Sequence, residues 1–219
     1  MLTACNSAPS LKLAIRMGGV MLCGMLLAAC ATQPKQVTMS EPTLVSAEPV
    51  KLAPSPEAQQ QFATAMATLH AGQTEQAKQQ LQQLTVAYPD LAAPVLNLGL
   101  IELNVQHYDQ AIVYFQQALQ RDSELAAAHN FLGVCYRNLG KFQEAEAAYQ
   151  AAIQADANYA DAHLNLGVLY DLYLQQPEQA LQEYESYQAL QSEPDEKVAS
   201  WIKEVGRRAK RKAAQGASS

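Results

Sequence analysis

Gly99, Gly133 and Gly167 stand 34 residues apart, and this period constrains the fold more than any other feature of the chain. Ala77, Ala111 and Ala145 repeat the same step, and Ala180 follows one residue late. Leu81, Phe115, Tyr149 and Tyr184 each come four residues after one of those alanines, and Leu84, Ala118 and Ala152 form a further set. A chain with such a period is assembled from copies of one supersecondary unit, each covering the apolar face of the next. Alanine, leucine and glutamine are abundant, β-branched runs are nearly absent, and all three abundant types favour helix. The expectation is an all-α fold of four units, 58–91, 92–125, 126–159 and 160–194.

The unit AAAHNFLGVCYRNLGKFQEAEAAYQAAIQADANY, Ala126 to Tyr159, carries Leu132, Gly133, Tyr136, Gly140, Ala145, Tyr149 and Ala152. With its period of 34, it resembles the tetratricopeptide repeat. The resemblance implies two antiparallel helices per unit, A and B, stacked into a solenoid. In the third unit, helix A is expected near Ala126 to Leu139 and helix B near Phe142 to Ala155, with Gly140 as a left-handed cap and Gly72 in the same place in the first. Pro177 is expected to open the fourth B helix, and the extra residue of that unit to lie in the turn YLQQPE. The family arrangement sets Gly133 against Ala145, so that the two helices approach closely. The first unit departs from this pattern with Thr64-Ala65, and Thr68 and Glu102 stand where Tyr136 and Tyr170 stand later. Glu102 is expected to be either exposed or paired with a polar neighbour.

After the array, Ser192-Glu193-Pro194-Asp195 fits a capping box. Val198, Trp201, Ile202 and Val205 then recur at i, i+3, i+4 and i+7. Residues 195–219 read as a capping helix on the last repeat, followed by the basic tail Arg207, Arg208, Lys210, Arg211 and Lys212. That tail suits a solvated helix end, or contact with anionic lipid or an acidic partner.

The N-terminus reads as a targeting segment rather than part of the fold. Lys12 and Arg16 flank an uncharged apolar stretch, Met17 to Ala29, which is too short for a transmembrane helix of roughly 20 residues. It ends in Leu27-Ala28-Ala29-Cys30, which resembles the bacterial lipobox. That resemblance implies a signal peptide over 1–29 and a Cys30 that becomes the lipidated first residue. Ala31, where aspartate would signal inner-membrane retention, implies the outer membrane facing the periplasm. Residues 30–57, with Pro34, Pro42, Pro49, Pro54 and Pro56, read as a flexible tether. Beyond Cys30 the remaining cysteine is Cys135, expected as a buried, inert thiol.

No phosphate-binding glycine loop, paired-cysteine metal site, His-Glu-x-x-His or Gly-x-Ser-x-Gly is present, so no catalytic residue, metal or cofactor is assigned. His129 and His163, also 34 apart, read as packing residues with a polar edge, a two-histidine metal site being the alternative. Between 58 and 194 four basic residues face fifteen acidic ones, which excludes nucleic acid as a partner of that region.

The repeat resemblance implies a groove lined by A helices: Phe62, Met66 and Leu69; Leu96, Leu100, Leu103 and Asn104; Asn130, Val134, Arg137 and Asn138; and Asp161, Leu164, Val168, Asp171 and Leu172. Such a groove suits a peptide or helix from a partner, here an envelope protein. Co-chaperone repeats that clamp a C-terminal carboxylate use several lysines and arginines, whereas this groove has only Arg137. The chain also resembles lipoproteins of type IV pilus secretin assembly. In LNLGVLYDLYLQQPEQALQEYESYQAL and VASWIKEVGRR it resembles repeat proteins of TonB–ExbB–ExbD systems. An adaptor for periplasmic proteases or murein hydrolases is a further alternative.

Overall fold

The computed structural model describes residues 55–216; the expected signal segment, Cys30 and most of the expected tether lie outside the described residues. The order is α1 (Pro56–His70), α2 (Thr74–Ala87), α3 (Ala92–Asn104), α4 (Tyr108–Arg121), α5 (Ala126–Asn138), α6 (Phe142–Ala155), α7 (Ala160–Val168), a π-helical segment (Leu169–Tyr173), α8 (Pro177–Ala189) and α9 (Glu196–Gly216). Helices α1 to α8 pair in sequence as four hairpins. Each B helix also packs on the next A helix, α2 on α3, α4 on α5 and α6 on α7, and α9 packs on α8. The expected all-α hairpin array is therefore present.

The first helix begins earlier than the tether boundary at residue 57 implied. Ser55 caps it, its hydroxyl accepting from the Ala58 amide at 3.4 Å, and Pro56 takes the first turn, where its missing N–H is harmless. Between A and B helices one residue adopts the left-handed conformation: Gly72 (φ 77°), Gln106 (φ 62°), Gly140 (φ 73°) and Gln175 (φ 53°). Glycine does this freely. The two glutamines carry a Cβ, which costs about 1–2 kcal/mol there.

The extra residue of the fourth repeat begins its effect inside the A helix, not only in the turn after it. Leu174 N–H reaches back to the Leu169 carbonyl at 3.0 Å, and Gln176 N–H to Tyr170 at 2.8 Å. The equivalent amides, His107 to Glu102 and Lys141 to Tyr136, span one residue fewer. Widening one helical turn absorbs the insertion while Gly167 keeps its place against α8.

The recurrent glycines face aromatic rings. A Cβ built on Gly133 would lie 2.5 Å from the Tyr149 ring; on Gly99 it would meet Phe115 at 2.5 Å, and on Gly167 Tyr184 at 2.6 Å. The side chain that fills the space over Gly133 is therefore the Tyr149 ring. Ala65 holds the glycine's place in the first repeat and Leu81 the aromatic's, and both are buried in one cluster with Ala77 and Leu84. A larger small residue is matched there by a smaller large one, which conserves volume.

Glu102 is buried and paired. Lys78 of α2 binds its Oε1, and His107 Nδ1 lies 3.0 Å from its Oε2. Two inter-repeat interfaces further on, Tyr170 O–H donates to Glu146 Oε1 at 2.8 Å and Gln150 Nε2 donates to the Tyr170 oxygen at 3.3 Å. Glu102 with Lys78 thus replaces the Tyr170–Glu146 pairing, with the acid moved to the A helix.

Asp195, rather than Ser192, caps α9: its Oδ1 accepts from the amides of Lys197 at 2.9 Å and Val198 at 3.1 Å. Val198 and Val205 are buried against the last repeat, and the Trp201 ring lies 5.5 Å from that of Tyr184. Two basic residues anchor the same helix, Arg208 to Asp171 and Lys212 to Glu178, the latter at 3.4 Å.

Candidate functional site

The A-helix residues expected to face a partner fall into two groups. In the first half the surroundings are apolar. Phe62 and Met66 are half-buried against the cluster that holds Leu69 and Leu81. Leu96, Leu100 and Leu103 belong to the core with Phe115, Ala128 and Leu132, and α3 is buried from Ala92 through Leu103, with α2, α4 and α5 packed on it. Asn104, at its end, is exposed.

The second half is polar and more open. Asn130, Val134, Arg137 and Asn138 share one face of α5 by their i, i+4, i+7, i+8 spacing. Val134 is half-buried and Asn138 exposed; Asn138 donates to the Val134 carbonyl at 2.8 Å. Leu164 is half-buried, Val168 buried, and Leu172 is 48% exposed on the π-helical segment. Asp161 is exposed in the first turn of α7.

A polar chain crosses from α5 to α7. Asn165 Nδ2 donates to Asn130 Oδ1 at 3.0 Å, and Arg137 Nη1 donates to Asn165 Oδ1 at 3.3 Å. Asn130 and Arg137 are both buried. Asp171 is half-buried, bound by Arg208 on Oδ1 and by the Tyr184 hydroxyl, which donates to Oδ2 at 3.4 Å. Burial first, and the Asp171 charge after it, push the Tyr184 hydroxyl above its ordinary range. Asn165 escaped the sequence reading, and Arg208 was read there only as part of the basic tail. Asn165 is displaced by one residue from the Asn130 register, and Arg208 comes from outside the repeats.

The two histidines on equivalent A helices reach back to the loops before them. His129 Nε2 lies 3.0 Å from the Ser123 carbonyl and His163 Nε2 3.2 Å from that of Ala157. His163 Nδ1 faces Glu183 Oε2 at 2.7 Å. Among the described residues no group of three or more His, Cys, Asp and Glu could hold a metal ion, and no helix is long and apolar enough to cross a membrane. Cys135 is buried, and burial pushes its thiol up to about 12, far from a nucleophile's range at neutral pH.

Tetratricopeptide repeat models match residues 57–91, 96–160 and 136–195. No curated protein matches the sequence. Among solved structures, the chain is similar to pilF of Pseudomonas aeruginosa, with 23% identity and a TM-score of 0.62 over 70% of this chain and 69% of that one. It is also similar to a MamA RS-1 double mutant, with 19% identity and a TM-score of 0.60 over 71% and 86%. The first repeat domain of Spaghetti (RPAP3), bound to the HSP90 peptide SRMEEVD, aligns at 20% identity and a TM-score of 0.50, over 54% and 92%. At these identities the likeness is one of fold. The family models cover most of the four hairpins, and the glycine–aromatic contacts recur in three of them, so the chain belongs to the tetratricopeptide repeat family.

Proposed function

We propose that this protein is a lipid-anchored scaffold of a bacterial cell envelope, holding or assembling a partner protein on its A-helix face without catalysis of its own. The observation that carries the reading is the array itself, four stacked hairpins offering Val134, Asn138, Leu164 and Leu172 at or near the surface on consecutive A helices. Helical arrays of this kind present extended surfaces to peptides and helices. The anchor is supported by the lipobox-like Leu27-Ala28-Ala29-Cys30 behind a short apolar core, and an outer-membrane, periplasm-facing location by Ala31.

Photo-crosslinkers placed at Asn138 and Leu172 in intact cells test the scaffold. A discrete adduct with an identified envelope protein is expected, and none from Gln82 on a B helix. The same pattern from both faces overturns the reading. Cys30→Ser is expected to abolish incorporation of labelled palmitate and move the protein out of the membrane fraction. Unchanged membrane association would remove the anchor.

A further inference from the structure

The basic residues of α9 do not share one task. This helix carries seven bases and two acids, whereas residues 58–194 carry four bases and fifteen acids. Three of the seven are taken up by the fold. Arg208 binds Asp171, Lys212 binds Glu178, and the Lys197 ammonium lies 5.1 Å over the Trp201 ring. The other four, Lys203, Arg207, Lys210 and Arg211, are all exposed. Arg207 meets Glu204 one turn back, an exposed pair of the kind that contributes little. Among the described residues no acid pairs with Lys203, Lys210 or Arg211.

Their spacing, i, i+4, i+7 and i+8, gathers the four on one face of the helix. That face is opposite Val198, Val205 and Ala209, which are buried where α9 packs on α8. Arg207, Lys210 and Arg211 line a shallow open hollow on it. A cation near a helix C-terminus is ordinarily explained by the macrodipole, but that effect falls off within the last turn. Lys203 and Arg207 stand more than two turns before the end of α9 at Gly216. A solvated face commonly mixes both signs, yet from Lys203 to Lys212 the one acid is Glu204.

We infer that the outward face of α9 is a second membrane contact, taking the phosphate headgroups of anionic lipid. The inference rests on the lipid-anchored reading and adds how the array lies against the bilayer. An anionic surface repels the acidic hairpins and attracts this face. The expected tether, as a loose coil, would span on the order of 30 Å, which keeps α9 within reach of the anchor's own bilayer. Anchoring makes the contact intramolecular, so a few charges suffice. Screening beyond about 8 Å at physiological salt leaves the face too weak to hold an unanchored chain there. It orients the array and does not replace the anchor.

The test installs a coumarin amino acid in place of Ser200, which is exposed one turn before Lys203. The purified full-length protein, lipidated as its host makes it, is mixed at low ionic strength with vesicles whose acyl chains carry a bromine quencher. One set is phosphatidylcholine alone, the other an equal mixture with phosphatidylglycerol. Quenching is expected with the anionic vesicles. It is not expected with phosphatidylcholine, in concentrated sodium chloride, or from the same probe at Gln82 on α2. Lys203→Gln, Arg207→Gln, Lys210→Gln and Arg211→Gln together are expected to bring it down to the phosphatidylcholine level. Far-UV circular dichroism is expected to stay unchanged, since all four side chains face water. Lys210→Gln alone is expected to weaken binding to anionic vesicles by about fivefold, and Lys141→Gln, exposed on another helix end, to leave it as it was. Equal quenching by both vesicle types, or quenching that survives the fourfold change, would overturn the assignment. So would a probe that responds to polyglutamate and not to anionic vesicles, which would give the face to an acidic protein. Palmitate labelling reads the anchor separately. Labelled protein with an unquenched probe keeps the anchor and loses the face, and unlabelled protein that is quenched does the reverse.

Discussion

Exchanging Gly133 for alanine drives a methyl group into the Tyr149 ring, which is fully buried and has no free side on which to retreat. Overpacking of this kind destabilises by about 1–3 kcal/mol, measured as a lower urea midpoint. The first repeat already holds the compensation, Ala65 with Leu81. The double change Gly133→Ala, Tyr149→Leu is therefore expected to recover much of the loss, and a fully additive double mutant would deny that these positions trade volume. The period of 34 made the glycines legible in the sequence. Tyr149 was among the residues expected around that contact, but sequence spacing alone does not show which side chain lies directly over the glycine. Glu102 gives a second prediction. The hydrogen bond from Lys78, opposed by burial and assisted by His107, holds its carboxyl below the ordinary value of 4.5. A depressed folded value means stability that is full above the ordinary value and is lost as pH falls through the folded one. Glu102→Gln is expected to cost roughly 1–3 kcal/mol at neutral pH, and urea melts should show the gap to wild type closing in acid. A gap independent of pH would mean that packing, not charge, is what Glu102 contributes.

At the scale of elements, hairpin boundaries were legible because apolar periodicity, Gly140 and Pro177 act locally. The π-helical segment was not. One inserted residue can be housed in a loop or in a widened turn, and the choice depends on which contacts must stay in register, here Gly167 with Tyr184. The cap of α9 was misplaced for a related reason. Ser192 matched a pattern, but the helix begins at Glu196, and Asp195 is the residue whose carboxylate meets its first amides. Trp201 is the single tryptophan of the chain and lies against Tyr184, so its emission reports the docking of α9. Val205→Asp puts a charge at a fully buried position. It is expected to shift that emission to the red while far-UV circular dichroism of the repeats persists, because each unit of such an array touches only its neighbours. Simultaneous loss of both signals would show the cap to be inseparable from the array.

For the whole molecule, the four-hairpin order was readable from one end of the array to the other, while the candidate site was readable only as a face. Leu96, Leu100 and Leu103 are the case in point. Family position marks them as groove residues, yet all three are buried in the core. The basic tail likewise turns partly inward, since Arg208 and Lys212 bind acids of the last repeat. Charge counted along a chain does not reveal which ions are consumed by its own folding.

The enclosed sulfur of Cys135 has a consequence for how the protein is made. Between residues 31 and 219 it is the lone cysteine, wholly shielded and held as the neutral thiol. Those residues therefore contain no pair to oxidise and nothing for a disulfide-exchange enzyme to correct. The helical array can reach the same end state in a reducing or an oxidising compartment, and its survival in either depends on packing alone.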